Sequence, residues 1–344
     1  MSGALELPRS LCYTIFMMRS GLFILLLLAA AVPVFAQGAG PDAELVFYDS
    51  MEHDASGAQV LKGGVYKDPA QGARLREKSL SAPVPADGYY HIRYVVDARS
   101  RARAEDYVRL FLSNPAFSSV ADRFRIEYAE GDPELMNCRN DNPASPRIIR
   151  CNMDYILSLA TAPVHMTGVF TSRGSGGAGG AGVTIVSLNY PLNTMLHESL
   201  HTWGLNDEYE YSPSEADYYC NNRRILKGPN TSSFPVREAY ASDAEARNLH
   251  RGDISWLEEI AAAPIVYGAP AGADPGAGTV FKLGTPSSSP VNEPGLYGGS
   301  NCSRKMPSFR PYKADTIMKT LSTTWIPPIH QKAVLAAIAK AAGW

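Results

Sequence analysis

The stretch that begins at His197 and ends at Tyr209 constrains this chain more than any other part of its sequence. It opens with two histidines four residues apart, His197 and His201, and Glu198 directly follows the first of them. Residues four apart lie one above the other on the same face of an α-helix, so both imidazoles can face one ion. Glu198 projects at a neighbouring angle, where a carboxylate can take a proton from a water molecule at that ion. The pattern therefore predicts a helix that carries a zinc site and its own general base.

A catalytic zinc site usually has three protein ligands, so the two histidines leave one position to fill. Gly204 comes three residues after the second histidine and can take the left-handed conformation that ends a helix and turns the chain back. Asp207 lies ten residues after the first histidine, the offset at which the metzincin pattern supplies its third ligand. Glu208 competes with Asp207 for this role. A different arrangement takes the third ligand from a later helix, with Glu238 or Glu245 as the donor.

The N-terminal region has the features of a secretory signal peptide. An apolar run over residues 22–32 follows Arg19, and Val34-Phe35-Ala36 places small residues where a signal peptidase acts. The run is shorter than the roughly 20 apolar residues that a membrane-spanning helix needs. We therefore predict cleavage after Ala36, a secreted or periplasmic location, and no stable membrane anchor in the mature protein.

The cysteines agree with export. Cys12 falls in the signal region, and the four others remain in the mature chain. We predict one disulfide between Cys138 and Cys151, across a short loop rich in Asn, Asp and Pro, and a second between Cys220 and Cys302. Free thiols are the alternative. None of these cysteines has Cys-x-x-Cys spacing, so we do not expect them to bind the metal.

The rest of the composition is that of an ordinary globular protein. The formal net charge is −2 and 19% of the residues are charged, without the basic excess that indicates nucleic-acid binding. Residues 37–100 have a β pattern, with strands predicted over Glu44–Tyr48 and Tyr89–Asp97. We predict a small β-rich domain over residues 37–100, or a removable pro-segment there, ahead of a catalytic domain over residues 101–344.

The segment before the two histidines has the order strand, glycine-rich loop, strand, helix. Strands are predicted over Val164–Phe170 and Val183–Leu188, and residues 172–182 between them are predicted to form a flexible loop. Asn193 or Thr194 is the expected N-cap of the helix. An edge strand beside the cleft would let an extended peptide substrate pair with the sheet.

The chain downstream of the histidines is predicted to be irregular over residues 210–235 and then to contain helices and one insertion. A helical pattern covers Ser242–Ala263, and the Ala/Gly/Pro-rich stretch at 268–278 is expected to be a mobile insertion. Residues 328–341 have the pattern of a closing amphipathic helix. His250 and His330 have no ligand-spaced neighbour, so we interpret them as structural.

Taken together, these features resemble the IgA-peptidase-like family of secreted zinc metallopeptidases. Within residues 160–344 the matching stretches are the strand–glycine loop–strand order, the His-Glu-x-x-His helix leading to Asp207-Glu208-Tyr209, Gly295-Leu296-Tyr297-Gly298-Gly299, and Arg310-Pro311 followed by Thr316-Ile317-Met318. The methionine of the last stretch corresponds to the turn that lies beneath the metal in metzincins. The resemblance implies a zincin fold, endopeptidase activity, and this set of site residues: zinc ligands His197, His201 and Asp207, with Glu198 as the base. The spacer before Asp207 is one residue shorter than the family pattern, so Asp207 and Glu208 both stay open as the third ligand.

We predict an α+β protein whose zincin, metzincin-like catalytic domain has a mixed β-sheet and an active-site helix, with a small β-rich domain in front. The expected function is that of a secreted zinc-dependent endopeptidase acting on a protein or peptide, in which Glu198 passes a proton to the leaving amine. Tyr209 and Tyr211 are the candidates for stabilising the oxyanion. The alternative is a secreted zinc-containing module that binds peptides or glycans without cutting them. Glu198 argues against this alternative, because a structural zinc site has no use for a base.

Overall fold

The computed structural model describes residues 50–53, 59–62, 84, 86–141, 147–159, 162–221, 223–260, 263–270 and 279–344. Three predictions fall outside the described residues, wholly or for the most part: the signal peptide, the strand at Glu44–Tyr48 and the insertion at 268–278.

The described strands, in chain order, are β1 (Ser50–His53), β2 (Gln59–Lys62), β3 (Tyr90–Val96), β4 (Phe124–Glu130), β5 (Met166–Thr171), β6 (Gly177–Gly180), β7 (Val183–Ser187), β8 (Ser232–Ser233), β9 (Val266–Pro270), β10 (Thr279–Leu283), β11 (Tyr297–Gly298) and β12 (Ser308–Arg310). The described α-helices are α1 (Arg101–Ser113), α2 (Pro133–Met136), α3 (Met153–Ser158), α4 (Asn193–Thr202), α5 (Pro213–Tyr219), α6 (Arg223–Leu226), α7 (Asp243–Leu249) and α8 (Pro328–Ala342). Two predicted helices are present: the histidine-bearing helix is α4, and the closing helix is α8.

One five-stranded mixed sheet carries the candidate site. Its strand order is β4-β3-β5-β7-β6, and neighbouring strands are parallel except for β6 and β7. β3 and β5 lie inside the sheet and are buried along almost their whole length, as parallel strands covered on both faces are. The sequence pattern assigned β3 to the segment ahead of the catalytic domain, whereas it is an inner strand of this sheet. The domain division after residue 100 stays a prediction.

The glycine-rich stretch before α4 differs from its prediction, because it contains the edge strand β6 rather than being loop throughout. The glycines here make room for the helix beside them. A Cβ atom at Gly179 would lie 2.1 Å from the backbone oxygen of Glu198, and one at Gly177 would lie 2.7 Å from Glu198 Oε1. A stretch that looks flexible in the sequence is therefore a strand packed closely against the site helix.

Helix α4 is buried on almost every side, and its ends explain how the site is placed. The helix begins without a side-chain N-cap, so the predicted capping role of Asn193 or Thr194 is wrong. Asn193 is instead the first helical residue, and its amide donates to the backbone oxygens of Leu321 and Thr323. This contact ties the start of α4 to the chain segment that follows the predicted methionine turn.

The C-terminal end of α4 has the structure that was predicted from Gly204. This residue has φ +92°, and its N–H donates to the His201 oxygen at 3.0 Å. The N–H of Leu205 donates to the Leu200 oxygen, also at 3.0 Å, which completes a Schellman motif. Directly before the glycine, Trp203 packs against the aromatic core and donates from Nε1 to the Tyr90 hydroxyl at 2.9 Å. The helix therefore stops abruptly, and the chain reverses toward the histidines.

Both predicted disulfides are present. Cys138 pairs with Cys151 between α2 and α3, and Cys220 at the end of α5 pairs with Cys302. The helices described in the structure are all too short or too polar to cross a lipid bilayer. The disulfide pairs are compatible with a secreted or periplasmic protein.

Candidate metal centre

His197 and His201 project from α4 toward one carboxylate oxygen of the returning chain. Oδ1 of Asp207 lies 3.1 Å from His197 Nε2 and 3.2 Å from His201 Nε2. The other ring nitrogen of each histidine donates to a backbone oxygen, His197 Nδ1 to Ile317 and His201 Nδ1 to Leu205, both at 2.8 Å. A carbonyl oxygen can only accept, so Nδ1 carries the proton and Nε2 keeps its lone pair in the neutral ring.

Asp207 Oδ1 lies within 3.2 Å of a nitrogen of each ring, close enough for the three atoms to share one ion. Asp207 Oδ1 is buried and accepts no well-aligned hydrogen bond from the described residues, although two ring nitrogens lie close to it. Three ligands around a tetrahedral zinc ion, with bonds of about 2.0–2.1 Å, stand about 3.3 Å apart. The observed spacing and the chemistry of the donors fit a zinc ion, and His197, Glu198 and His201 together also form a group that could hold a metal.

When no metal is bound, Asp207 and the histidines stabilise each other's charged forms. Burial raises the pKa of Asp207, but the neighbouring His201 and His197 outweigh burial and hold that pKa well below its ordinary value. Burial lowers the pKa of His201, but Asp207 outweighs it and raises the pKa to about 9. A metal ion must therefore displace a proton from this histidine before it can bind.

Glu198 is the buried carboxylate beside the two rings. It is 8% exposed and borders a cleft on the protein surface. Burial raises the pKa of its carboxyl group, and the nearby His197 and His201 only partly offset this rise. A carboxyl group with a raised pKa both accepts and releases a proton near neutral pH more readily than an exposed one.

The two sequence candidates for the third ligand lie in different surroundings. Asp207 faces the histidines with Oδ1, and its Oδ2 accepts from the hydroxyls of Tyr209 at 3.0 Å and Tyr211 at 2.9 Å. Glu208 points the other way and is fully buried. Its Oε1 accepts from His330 Nε2 at 2.7 Å, so it does not meet the histidines of α4.

A clamp of buried polar groups, formed by Glu208, His330, Thr316 and Asn230, fixes the loop that carries Asp207. Besides the histidine, the Glu208 carboxylate accepts from Thr316 Oγ1 at 2.6 Å and from Asn230 Nδ2 at 3.2 Å. The backbone N–H of Glu208 donates to the Met318 oxygen at 2.8 Å. The sequence analysis took His330 as structural, and here it holds the loop beside the candidate ligands.

The predicted methionine turn runs directly beneath this loop. Met318 is fully buried in the same core as α4. The two residues before it contact the site, since the Ile317 oxygen accepts from His197 and the Thr316 hydroxyl donates to Glu208. The turn therefore orients one candidate ligand and one clamp residue through direct hydrogen bonds.

The later glutamates do not join the site. Glu245 lies at the start of α7, where its Oε2 accepts from the Ala241 N–H at 2.7 Å and its Oε1 from Arg237 at 2.9 Å. Glu238 is exposed. The arrangement with a third ligand on a later helix is therefore not the one in this structure.

Arg147 is a cleft residue that the sequence analysis missed. Its Nη2 donates to the Tyr209 hydroxyl at 2.5 Å, and its Nε donates to Glu215 Oε1 at 2.7 Å. Burial lowers the pKa of its guanidinium, but Tyr209, Asp207 and Glu215 outweigh burial and raise it, so the group stays charged. No motif marks this arginine, because it lies about 50 residues before the site helix in a loop without periodicity.

Comparison with known proteins adds little. No family model matches the chain, and no relative was found among curated proteins. Among solved structures, archaemetzincin from Methanopyrus kandleri is similar to this chain over a region that covers 36% of this chain and 78% of the archaemetzincin chain. The sequence identity is 13% and the TM-score is 0.23, and a similarity at this level decides neither fold nor function.

Proposed function

We propose that this protein is an exported zinc-dependent endopeptidase in which His197, His201 and Asp207 bind the metal and Glu198 is the general base. The observation that carries the proposal is the convergence of two histidine ring nitrogens and one orphaned carboxylate oxygen, with a second buried carboxylate beside them. A bound zinc ion supplies Lewis acidity, which makes water a nucleophile at neutral pH and polarises a carbonyl group.

Glu198 has the position and environment for proton transfer. It borders both the cleft and the histidine pair, so a water molecule in the cleft lies within reach of its carboxylate. In peptide hydrolysis this carboxylate takes the proton of the attacking water and later gives it to the leaving amine. The raised pKa that results from burial supports both halves of this transfer.

The edge strand β6 supports a peptide as the substrate. β6 pairs with β7 on one side, and Gly176 and Gly177 at its start border the cleft. An extended peptide can add to such an edge through backbone hydrogen bonds that do not depend on its sequence. Backbone pairing on a strand favours cleavage within a chain over removal of terminal residues.

Of the two tyrosine candidates for stabilising the oxyanion, Tyr209 is the better placed. Tyr211 is 3% exposed and does not border the cleft. Tyr209 does border it, and its hydroxyl joins Arg147 to Asp207. We assign Tyr209 this role, in which its one O–H proton would turn from Asp207 Oδ2 to the oxyanion, with Tyr211 as a residue that orients Asp207.

The proposal also places the chain beside the IgA-peptidase-like family and includes a signal peptide that ends at Ala36. The order of motifs in the sequence supports the first point. The two disulfides support export, because such bonds persist mainly in oxidising compartments.

The test is cleavage of casein by zinc-loaded protein, compared with the variant Glu198→Gln. We expect the variant to keep its zinc and to lose activity by about 10²–10⁴-fold. The matched control is Glu245→Gln, the same chemical change at an exposed helix start, which should keep wild-type activity. Zinc binding without cleavage by the wild-type protein, or full activity in Glu198→Gln, would contradict the proposal.

A further inference from the structure

The cleft beside Glu198 presents two positive side chains from different parts of the chain. Arg147 comes from the loop that precedes α3, and Lys319 comes from the segment that follows the methionine turn. Among the described residues that border the cleft, Glu198 is the only acidic one. The carboxylates that pair with the two cations, Glu215 and Asp315, do not border it.

Arg147 is held firmly in its place. Glu215, which anchors Nε of the guanidinium, is itself fixed in a capping box with Ser212 at the start of α5. The backbone of Arg147 packs directly on the residue before β6, because a Cβ atom at Gly176 would lie 1.9 Å from the Arg147 oxygen. The hydrogen bonds of Arg147 to described residues use Nε and Nη2, so Nη1 stays available to a carboxylate in the cleft.

Lys319 is fixed less tightly but lies on a rigid segment. Its Nζ donates to Asp315 Oδ1 at 2.6 Å, and its backbone N–H donates to the Thr316 oxygen at 3.0 Å. The side chain is 27% exposed, against 60% for Asp315. Lys319 borders the cleft, and its counter-ion is largely in water, where screening weakens the pair and lets the ammonium group turn toward a ligand in the cleft.

We propose that the cleft selects an acidic residue, Asp or Glu, next to the bond that is cut, with Arg147 and Lys319 binding its carboxylate. The inference rests on the proposed function, since it names the substrate class of the same site. A substrate carboxylate would gain charge-assisted hydrogen bonds here, whereas a Lys or Arg side chain would meet two like charges. The backbone pairing offered by β6 sets the direction of the peptide and leaves selectivity to this one position.

The experiment uses internally quenched peptides blocked at both ends, in sets that differ only by Glu, Gln or Lys at one position on either side of the cut. For the zinc-loaded protein we expect kcat/KM to be about 10–100-fold higher for Glu than for Gln, and lowest for Lys. Lys319→Gln should reduce the preference for Glu, and Lys319→Glu should shift it toward Lys. Lys332→Glu makes the same charge change at an exposed helical site away from the cleft and should leave the preference unchanged.

A binding measurement separates failure of this inference from failure of the proposed function. Fluorescence anisotropy with zinc-loaded Glu198→Gln reports peptide binding without cleavage, and we expect the Glu peptide to bind about tenfold more tightly than the Gln peptide. If no peptide is cut but the Glu peptide still binds more tightly, the proposed activity fails and the acidic selectivity stands. Equal cleavage and equal binding of the Glu and Gln peptides would overturn the inference while leaving a peptidase in place. A matching set of peptides with a free C-terminus completes the test, because a preference seen only in that set would also overturn the inference by showing that the cleft recognises a chain end.

Discussion

Replacing the buried carboxylate of Glu208 by an amide tests the clamp that holds the Asp207 loop. The carboxylate accepts three hydrogen bonds, from His330 Nε2 at 2.7 Å, Thr316 Oγ1 at 2.6 Å and Asn230 Nδ2 at 3.2 Å. Glutamine has the same shape but offers one oxygen and one NH2 group. In Glu208→Gln the NH2 group can donate to the Thr316 hydroxyl, which can also accept, but the hydrogen bonds from His330 and Asn230 then go to a neutral oxygen instead of a charged carboxylate.

The structure sets the size of the effect. A hydrogen bond to a charged group contributes about 1.5–3 kcal/mol and a neutral one about 0.5–1.5 kcal/mol, so each of the three contacts loses about 1 kcal/mol. We expect Glu208→Gln to lower the free energy of unfolding by about 3 kcal/mol, roughly a hundredfold in the folding equilibrium. Zinc affinity should fall by about 10–100-fold, because the loop that carries Asp207 loses its anchor.

Urea unfolding of the metal-free protein, with its disulfides intact, gives the first quantity, and competition with a chromophoric chelator gives the second. The matched control is Glu245→Gln, where a carboxylate with two hydrogen bonds lies at the exposed start of α7. That variant should lose less than about 1 kcal/mol and bind zinc like the wild type. If the two variants are equally stable and bind zinc equally well, the clamp does not position the site.

Three other predictions follow from the packing and the buried groups. Gly179→Ala should destabilise the protein by about 1–3 kcal/mol in urea unfolding, because the added methyl group would overlap the backbone of the site helix, whereas Gly252→Ala, in open space, should be nearly neutral. Burial lowers the pKa of His165 to about 4, so its contribution to stability is present above its unfolded-state value near 6.5 and is lost as the pH falls toward 4. The difference in unfolding free energy between wild type and His165→Gln should therefore shrink by about 3 kcal/mol over that range, and a constant difference would contradict this reasoning. Replacing Cys220 and Cys302 together by serine should lower the free energy of unfolding by about 4–5 kcal/mol, because the bond closes a long loop, and a loss below about 1 kcal/mol would show that the unfolded chain is not constrained by it.

Local patterns were enough to predict the site helix and its end. The spacing of His197 and His201 depends only on helical periodicity, and the Gly204 stop depends only on the conformational freedom of glycine. The Cys138–Cys151 disulfide was also predicted, from its short loop and the composition of that loop. These features are properties of short stretches, so the sequence alone carries them, whereas Cys220 and Cys302, 82 residues apart, were predicted only as the remaining pair.

The features that the sequence did not reveal depend on contacts between distant segments. The Gly177–Gly180 stretch looks flexible until the helix that packs on it is known, since the close approach rather than the loop explains the glycines. Glu208 could be separated from Asp207 only once His330, 122 residues later, was seen to hold it. Arg147 likewise acquires its place from Glu215 and Tyr209, and no local pattern links the three.

The most direct test of the central claim is zinc stoichiometry and affinity of the purified protein, measured after chelation and reconstitution, for wild type and Asp207→Ala. The account predicts about one tightly bound zinc ion per wild-type chain and a loss of affinity of several orders of magnitude in Asp207→Ala, because one of three ligands is gone. Absence of zinc binding by the wild type, or wild-type affinity in Asp207→Ala, would contradict it.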